Sequence, residues 1–262
     1  MTDSTGETML DLAVLGVAAF SAGLVDAVVG GGGLIQIPVL FSMFGNTAPA
    51  TLLGTSKLAG IFGTAAAAVN YARRVSIAWT TAAPAAFAAF FFAFFGAFTV
   101  TKIPADFMRT LLPVVLIAVA IYTFKRKDFG SIHAPLHGGL KERLLAVACG
   151  AGIGFYDGFF GPGTGSFLVF LFVRLFGFDF LGASAVAKVV NVACNLSALM
   201  WFGYSGHLLW QLGLMMAVCQ VAGSLIGTKL AMRHGSGFVR RVFLVVVTIL
   251  IVKTSWDAYQ RW

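Results

Sequence analysis

Charged residues are scarce in this chain. Asp, Glu, Lys and Arg make up 11% of its 262 residues, while 59% are hydrophobic. A soluble globular domain carries about a quarter charged residues, so this balance and the mean hydropathy of +0.90 argue against a soluble fold. Residues 27–56 and 76–101 contain no charged side chain, and about 20 apolar residues are enough to cross a bilayer. The composition therefore predicts a multi-pass membrane protein.

Cysteine is also rare, and its placement excludes the usual roles of a cysteine framework. The chain has three cysteines, Cys149, Cys194 and Cys219, all within apolar stretches and at spacings that fit no metal motif. We therefore predict packing roles for them, and neither a metal nor a cofactor. The net charge of +8 does not indicate nucleic acid, because the basic residues lie between apolar stretches rather than on one face.

Two of the apolar stretches are interrupted by glycines. Residues 12–44 are too long for one straight crossing and too short for two, and Gly30–Gly33 lie in their middle. We expect a helix over residues 10–29 and a short one over 34–44. Residues 144–176 repeat this plan around a Gly-Pro-Gly-Thr-Gly break at 161–165. Long spans are predicted at residues 48–72, 76–101, 106–124, 142–160, 180–202, 208–231 and 238–256.

The two halves of the chain are related by a constant offset. Asp26 and Asp157 lie 131 residues apart, and so do Lys57 and Lys188. These matches carry more weight than the many Gly, Ala and Leu matches, since charged residues inside apolar stretches rarely coincide by chance. The offset predicts an internal duplication. Residues 10–125 form repeat 1, residues 126–141 a basic linker, and residues 142–262 repeat 2.

The distribution of basic residues favours repeats of opposite orientation. If each half makes four crossings, either the basic linker or the cluster at 233–241 falls outside, against the positive-inside rule. Five passes per half, with the short segments also changing the side of the chain, place both inside. We expect an all-α polytopic membrane protein of two inverted repeats, each with about four full transmembrane helices plus a short Gly-interrupted half-helix. The short segments could instead be re-entrant.

Four ionisable residues lie inside predicted spans: Asp26, Lys57, Asp157 and Lys188. Each costs about 2.5–3.5 kcal/mol at the centre of a membrane helix. One reading is structural: each Asp neutralises a Lys, and the pairs lock the halves together. The other is a substrate site, in which the lysines and the N-termini of the two short helices, with their free N–H groups and partial positive charge, hold an anion.

The functional reading predicts a set of substrate-binding residues around the two breaks. Asn191 and Asn195 share a helix face with Lys188, although such residues also bond across helices. Asp26 and Asp157 would either carry protons, because burial favours the neutral carboxyl, or only neutralise the lysines. The predicted substrate-binding residues are Lys57, Lys188, Gly30, Gly31, Gly32, Gly33, Thr55, Ser56, Gly161, Gly163, Thr164, Gly165, Ser166, Asn191 and Asn195.

Two sequence stretches resemble a known family. The first is Gly-Leu-Val-Asp-Ala-Val-Val-Gly-Gly-Gly-Gly-Leu-Ile-Gln-Ile-Pro at 23–38, followed by Gly-Thr-Ser-Lys at 54–57. The second is Gly-Phe-Tyr-Asp-Gly-Phe-Phe-Gly-Pro-Gly-Thr-Gly-Ser at 154–166, followed by Ala-Lys-Val-Val-Asn at 187–191. They are similar to the two repeat signatures of the TauE/SafE sulfite exporter family. The resemblance implies a bacterial inner-membrane permease that moves sulfur oxyanions or sulfonates, generally outward.

We therefore expect a secondary transporter, not an enzyme, that exports sulfite or an organosulfonate by alternating access. Its expected partners are the small anion and the lipid bilayer, with the linker on the cytoplasmic side, and coupling to a proton or to the membrane potential is a hypothesis. One rival is an anion channel that uses the same site. Another is an intramembrane hydrolase with Asp26 and Asp157 as a carboxylate dyad, which two matched lysines disfavour because they would keep both carboxylates ionised.

Overall fold

The computed structural model describes residues 4–108, 110–111, 114–115 and 138–259. Every regular element in these ranges is an α-helix, which confirms the prediction of an all-α protein. The helices are α1 (Ser4–Val29), α2 (Gly33–Met43), α3 (Pro49–Ala72), α4 (Trp79–Val100), α5 (Gly139–Phe159), α6 (Thr164–Phe176), α7 (Phe180–Tyr204) and α8 (Trp210–Tyr259).

Part of the predicted organisation lies outside the described residues. Most of the span expected at 106–124 does so, although residues 106–108, 110–111 and 114–115 are helical. Of the predicted linker, residues 126–137 are not described, and α5 already begins at Gly139. The spans expected at 208–231 and 238–256 both fall in α8, which is broken at Gly235, where φ is 70° and ψ is −169°.

Among the described residues, five helices are long and apolar enough to cross a membrane. They cover Asp11–Val29, Pro49–Ala72, Trp79–Val100, Phe180–Tyr204 and Trp210–Gly235. The helix α5 is more polar, because Lys141, Glu142 and Arg143 occupy its first turn and Asp157 its last. The short helices α2 and α6 are apolar but span less than a bilayer at about 1.5 Å per residue. The chain is thus a multi-pass membrane protein.

The two glycine breaks form as the sequence predicts. The helix α1 ends before Gly30, whose φ is +80°, and α5 ends before Gly161 and Gly163, whose φ values are +92° and +79°. Backbone of this kind is open to glycine and costly for residues with a Cβ atom. The breaks therefore stop α1 and α5 and let the chain restart as α2 and α6 within a few residues.

The helices pack in a pattern that is unchanged when the two repeats are exchanged. Under the offset of 131 residues, α1 corresponds to α5, α3 to α7 and α4 to α8. The main contacts are α1 with α8 and α4 with α5, α3 with α8 and α4 with α7, and α3 with α7. Each of the first four contacts maps onto its partner under exchange, and the last maps onto itself. The repeats are therefore interlocked rather than placed side by side.

Glycines bring the interlocked helices close together. A Cβ atom on Gly154 would lie 2.6 Å from the Cα of Ala89, and one on Gly23 would lie 2.8 Å from the carbonyl carbon of Gln220. These two contacts are equivalent under the repeat offset. Small residues at a helix interface allow the backbones this approach in a membrane protein. The close packing of α4 on α5, and of α8 on α1, therefore requires glycine at these positions.

This packing makes Gly154→Ala destabilising. The added methyl group meets the backbone of α4, and overpacking of this kind costs about 1–3 kcal/mol. Gly152, on the same helix, has no atom within 4 Å of an added Cβ. Gly152→Ala should therefore be neutral or raise stability by about 0.5–1 kcal/mol through helix propensity. Thermal unfolding of the purified proteins in detergent compares them, and equal melting temperatures for both variants would contradict the packing described here.

Candidate functional site

The two breaks touch each other in the interior of the protein. The backbone N–H of Ser166 donates to the carbonyl oxygen of Gly30 at 3.0 Å, and the Ser166 hydroxyl donates to the carbonyl oxygen of Val29, also at 3.0 Å. A Cβ atom on Gly30 would lie 2.5 Å from the Cα of Gly165. The start of α6 is thus joined to the end of α1, and the two breaks form one continuous region.

Two buried ion pairs cross between the repeats beside this region. Lys57 of repeat 1 pairs with Asp157 of repeat 2. Lys188 of repeat 2 pairs with Asp26 of repeat 1, with 3.0 Å from Nζ to Oδ2, and also donates to the backbone carbonyl of Asp26. The hydroxyl of Thr64 donates to the same Asp26 carboxylate at 3.1 Å. The pairing that the structural reading requires is therefore present, and each pair joins one repeat to the other.

A small cavity lies between the two breaks and reaches the first ion pair. Its volume is about 40 Å³. A buried water needs about 10–15 Å³ measured in this way, so the cavity has room for about three waters. Its wall includes eleven of the residues singled out from the sequence, namely Asp26, Gly30, Gly32, Gly33, Ser56, Lys57, Asp157, Gly161, Gly165, Asn191 and Asn195.

The other residues predicted for the site lie outside the cavity wall. They are Gly31, Thr55, Gly163, Thr164, Ser166 and Lys188. The Thr55 hydroxyl donates to the carbonyl of Thr51 at 2.7 Å and accepts from the backbone N–H of Leu209 at 3.0 Å. The Thr164 hydroxyl donates to the carbonyl of Gly161 at 2.9 Å. In this conformation these hydroxyls hold the backbone, as Ser166 does.

Two glutamines in the cavity wall were missed by the sequence analysis. Gln36 lies on α2 and Gln220 on α8, and their side chains are 1% and 3% exposed. The Gln36 Nε2 and the Gln220 Oε1 are buried and have no hydrogen-bond partner among the described residues. Leaving such a group unpaired costs about 1–3 kcal/mol. Their signal in the sequence was a polar residue within an apolar stretch, but the repeat comparison hid it, because their counterparts are Phe167 and Ala89.

The electrostatics of the cavity combine balanced full charges with helix ends. Lys57 and Asp157 line the wall as an ion pair, and the Asp26 carboxylate also faces it while paired with Lys188 behind. The four charges sum to zero. The helix α2 begins at Gly33, and the first turn of α6 contains Gly165, so both half-helices begin at the wall with the positive ends of their dipoles. Most of the N–H groups that were predicted to be free there already donate to backbone carbonyl oxygens, namely those of Leu34, Ile35, Thr164 and Ser166. The described part of the chain contains no group of three or more His, Cys, Asp and Glu placed to hold a metal ion.

The family is decided by a match over almost the whole chain. Residues 15–254 match the family model described as "Sulfite exporter TauE/SafE". The chain belongs to the TauE/SafE family. Membership agrees with the two repeat signatures, which contain both breaks and all four buried charges.

The relatives of this TauE/SafE chain are named as probable membrane transporters. It is 37% identical to "Probable membrane transporter protein ORF9" of Sinorhizobium sp, over 94% of this chain and 93% of the relative. It is 33% identical to "Probable membrane transporter protein YfcA" of Escherichia coli K12, over 95% and 91% of the two chains. A "Probable membrane transporter protein" of Haemophilus influenzae is 31% identical, over 96% of each chain. No solved structure matches the chain significantly. The protein is a membrane transporter of the TauE/SafE family.

The crossed ion pairs predict non-additive effects of mutation. Lys188→Met leaves the buried Asp26 carboxylate without its cation, which costs about 3–5 kcal/mol. Combining it with Asp26→Asn removes both charges, so the double variant should be more stable than Lys188→Met alone. Unfolding of the purified single and double variants measures this difference. Simple addition of the two single effects would show that the pair contributes no coupling.

Proposed function

We propose that this protein is a secondary transporter that exports sulfite or another small sulfur-containing anion across the bacterial inner membrane. The observation that supports it best is the buried cavity between the two breaks, which combines Lys57 with the N-termini of α2 and α6. The family description points in the same direction. Short helices that meet at matching positions of two repeats are typical of the substrate sites of secondary transporters.

The groups in the cavity wall suit a compact oxyanion. The Lys57 ammonium supplies a full positive charge and charge-assisted hydrogen bonds. Asn191 and Asn195 lie on α7 and bring amide donors to the same wall. We place the anion against Lys57, and Lys188 acts from behind by neutralising Asp26.

Binding of an anion requires that Lys57 exchange its present partner. Its ammonium is paired with Asp157, and the charged groups around the cavity are Asp26, Lys57, Asp157 and, behind Asp26, Lys188. A proton on Asp157 would release Lys57 for the anion and keep the buried charge balanced. The anion and one proton would then occupy the site together, which couples movement of the anion to movement of a proton in the same direction.

Alternating access would use the interlocked repeats. We propose that the repeats are inverted, that the linker lies in the cytoplasm, and that the two halves rock about the breaks. The exchange-symmetric packing of α1 on α8 and α4 on α5 supports two equivalent moving units. A channel would use the same donors without this motion. A carboxylate dyad would need Asp26 and Asp157 to share a proton, whereas each is paired with a lysine.

The anion site is tested by replacing each lysine with methionine. Sulfite at about a hundredfold excess over Kd should stabilise the wild-type protein by about 2.7 kcal/mol. Lys57→Met should abolish this shift because Lys57 lines the cavity. Lys188→Met should lower the melting temperature yet retain a shift, because Lys188 lies behind Asp26. Retention of the full shift in Lys57→Met would refute the assignment of the anion to Lys57.

The proton coupling is tested with methanesulfonate, whose charge stays constant across the neutral pH range. If Lys57 binds the anion only when Asp157 is protonated, binding to the wild type should strengthen as pH falls. Asp157→Asn mimics the protonated carboxyl and should bind with little dependence on pH. Isothermal titration at a series of pH values measures both. An unchanged pH profile in Asp157→Asn would rule out Asp157 as the proton carrier.

The orientation of the repeats is tested at two equivalent tryptophans. Trp79 and Trp210 begin α4 and α8, lie 131 residues apart, and are 58% and 56% exposed. Inverted repeats place them at opposite faces of the membrane, and parallel repeats place them at the same face. In a background that lacks Cys149, Cys194 and Cys219, we expect a membrane-impermeant thiol reagent added to intact cells to label only one of Trp79→Cys and Trp210→Cys. Equal labelling of the two variants would show that the repeats are parallel.

A further inference from the structure

The two glutamines of the cavity wall present complementary atoms that are unpaired among the described residues. Gln36 offers a buried amide nitrogen, a donor, and Gln220 offers a buried amide oxygen, an acceptor. They come from α2 and α8, so two helices distant in sequence bring them to one cavity. Buried polar groups in proteins are normally paired. A pair of exceptions in the wall of a single cavity indicates that its occupant completes them.

The charged side chains of the wall do not supply the missing partners. The Lys57 ammonium is paired with Asp157, and the Asp26 carboxylate accepts from Lys188 and Thr64. The group that completes Gln36 must accept a hydrogen bond, and the group that completes Gln220 must donate one. Waters can fill both roles in the resting site, since the cavity is large enough for them. A substrate that displaces those waters without loss must replace both hydrogen bonds.

We propose that Gln36 and Gln220 determine specificity by selecting a singly charged oxyanion that still carries a hydrogen atom, such as hydrogensulfite. The Gln36 amide donates to an oxygen of the anion, and the Gln220 carbonyl oxygen accepts the hydrogen of the anion. This inference rests on the proposed function, because it assigns further contacts to the same anion site. It adds a choice between protonation states that the lysines and the helix N-termini alone do not make.

The charge balance of the site favours the same choice. The two ion pairs leave the region without net charge. The Born cost of taking an ion from water rises with the square of its charge, so a dianion is much more expensive to bury here than a monoanion. A sulfate or sulfite dianion would also offer only acceptors, and the Gln220 oxygen would stay unpaired. A hydrogen-bearing monoanion meets both requirements together.

The two glutamines that select the protonation state of the anion have no polar counterparts in the other repeat. The counterparts of Gln36 and Gln220 under the repeat offset are Phe167 and Ala89, neither of which has a polar side chain. The charged residues Asp26, Lys57, Asp157 and Lys188 recur in both repeats. Charge attraction is therefore shared by the two repeats, whereas recognition of the hydrogen atom depends on the asymmetric amides.

The test uses methionine, which is close to glutamine in size and has no amide. Gln36→Met and Gln220→Met are compared with Gln211→Met, an exposed position on the same helix as Gln220. The probes are hydrogensulfite, methanesulfonate and sulfate, titrated calorimetrically at a pH where hydrogensulfite predominates. Methanesulfonate carries the same charge as hydrogensulfite but has no hydrogen on an oxygen atom, so it cannot donate a hydrogen bond to Gln220.

We expect a distinct pattern for each variant. Gln220→Met should weaken hydrogensulfite by about tenfold, the effect of one hydrogen bond to a charged partner, and leave methanesulfonate unchanged. Gln36→Met should weaken both monoanions by a similar factor, because both present an acceptor oxygen. Gln211→Met should bind all three probes as the wild type does. In the wild type, sulfate should bind more weakly than either monoanion.

Thermal unfolding without added anion separates recognition from a structural role. Replacing an unpaired buried amide by an apolar side chain should leave the melting temperature unchanged or raise it. If either glutamine variant melts at a lower temperature while its anion affinities are unchanged, the amides are structural and the inference is overturned. Equal weakening of hydrogensulfite and methanesulfonate by Gln220→Met would also overturn it, since it would show that Gln220 does not recognise the hydrogen.

Failure of this inference can be told apart from failure of the proposed function. If Lys57→Met abolishes binding of the monoanions while both glutamine variants bind like the wild type, the anion site stands and the amides do not determine specificity. If the wild type binds none of the three probes, the proposed function and the inference are both refuted.

Discussion

The architecture depends on two buried ion pairs that cross between the repeats. Asp26 pairs with Lys188, and Lys57 pairs with Asp157. Each repeat therefore depends on the other repeat to neutralise its two buried charges. Any one of these groups left alone in the interior of a membrane protein would be strongly destabilising. The repeats must therefore interlock, and the packing of α1 on α8 and α4 on α5 provides the geometry.

Glycine makes this interlocking possible at two levels. Within α1 and α5, glycines such as Gly23 and Gly154 let helices approach to backbone contact. At Gly30, Gly161 and Gly163, positive φ angles end those helices and open the space between the breaks. Much of the cavity wall is therefore glycine backbone without side chains, next to Lys57. The Lys57–Asp157 pair stabilises this conformation, and in the proposed mechanism it is also the pair that must separate before an anion can bind Lys57.

Most of the fold could be predicted from the sequence, because its determinants are local. Runs of apolar residues set the helices, and the glycines at 30–33 and 161–165 set the breaks, so α2 begins within one residue of its expected start and α6 begins within the predicted second break. The constant offset of Asp26 and Lys57 to Asp157 and Lys188 predicts that the chain is duplicated. The described helices also follow the predicted spans closely, and the break at Gly235 falls between the spans predicted at 208–231 and 238–256; the start of α5 lies three residues before the predicted one.

The sequence by itself determined the helices, the breaks and the four charges, and it predicted the duplication, since hydropathy and spacing can be read from the order of residues alone. Only the tertiary structure decided that each Lys pairs with the Asp of the other repeat, and that Lys57 rather than Lys188 lines the cavity. It also decided that Thr55 and Ser166 hold backbone groups, and that Gln36 and Gln220 face the same space. These facts depend on contacts between residues far apart in the chain, which no local pattern encodes.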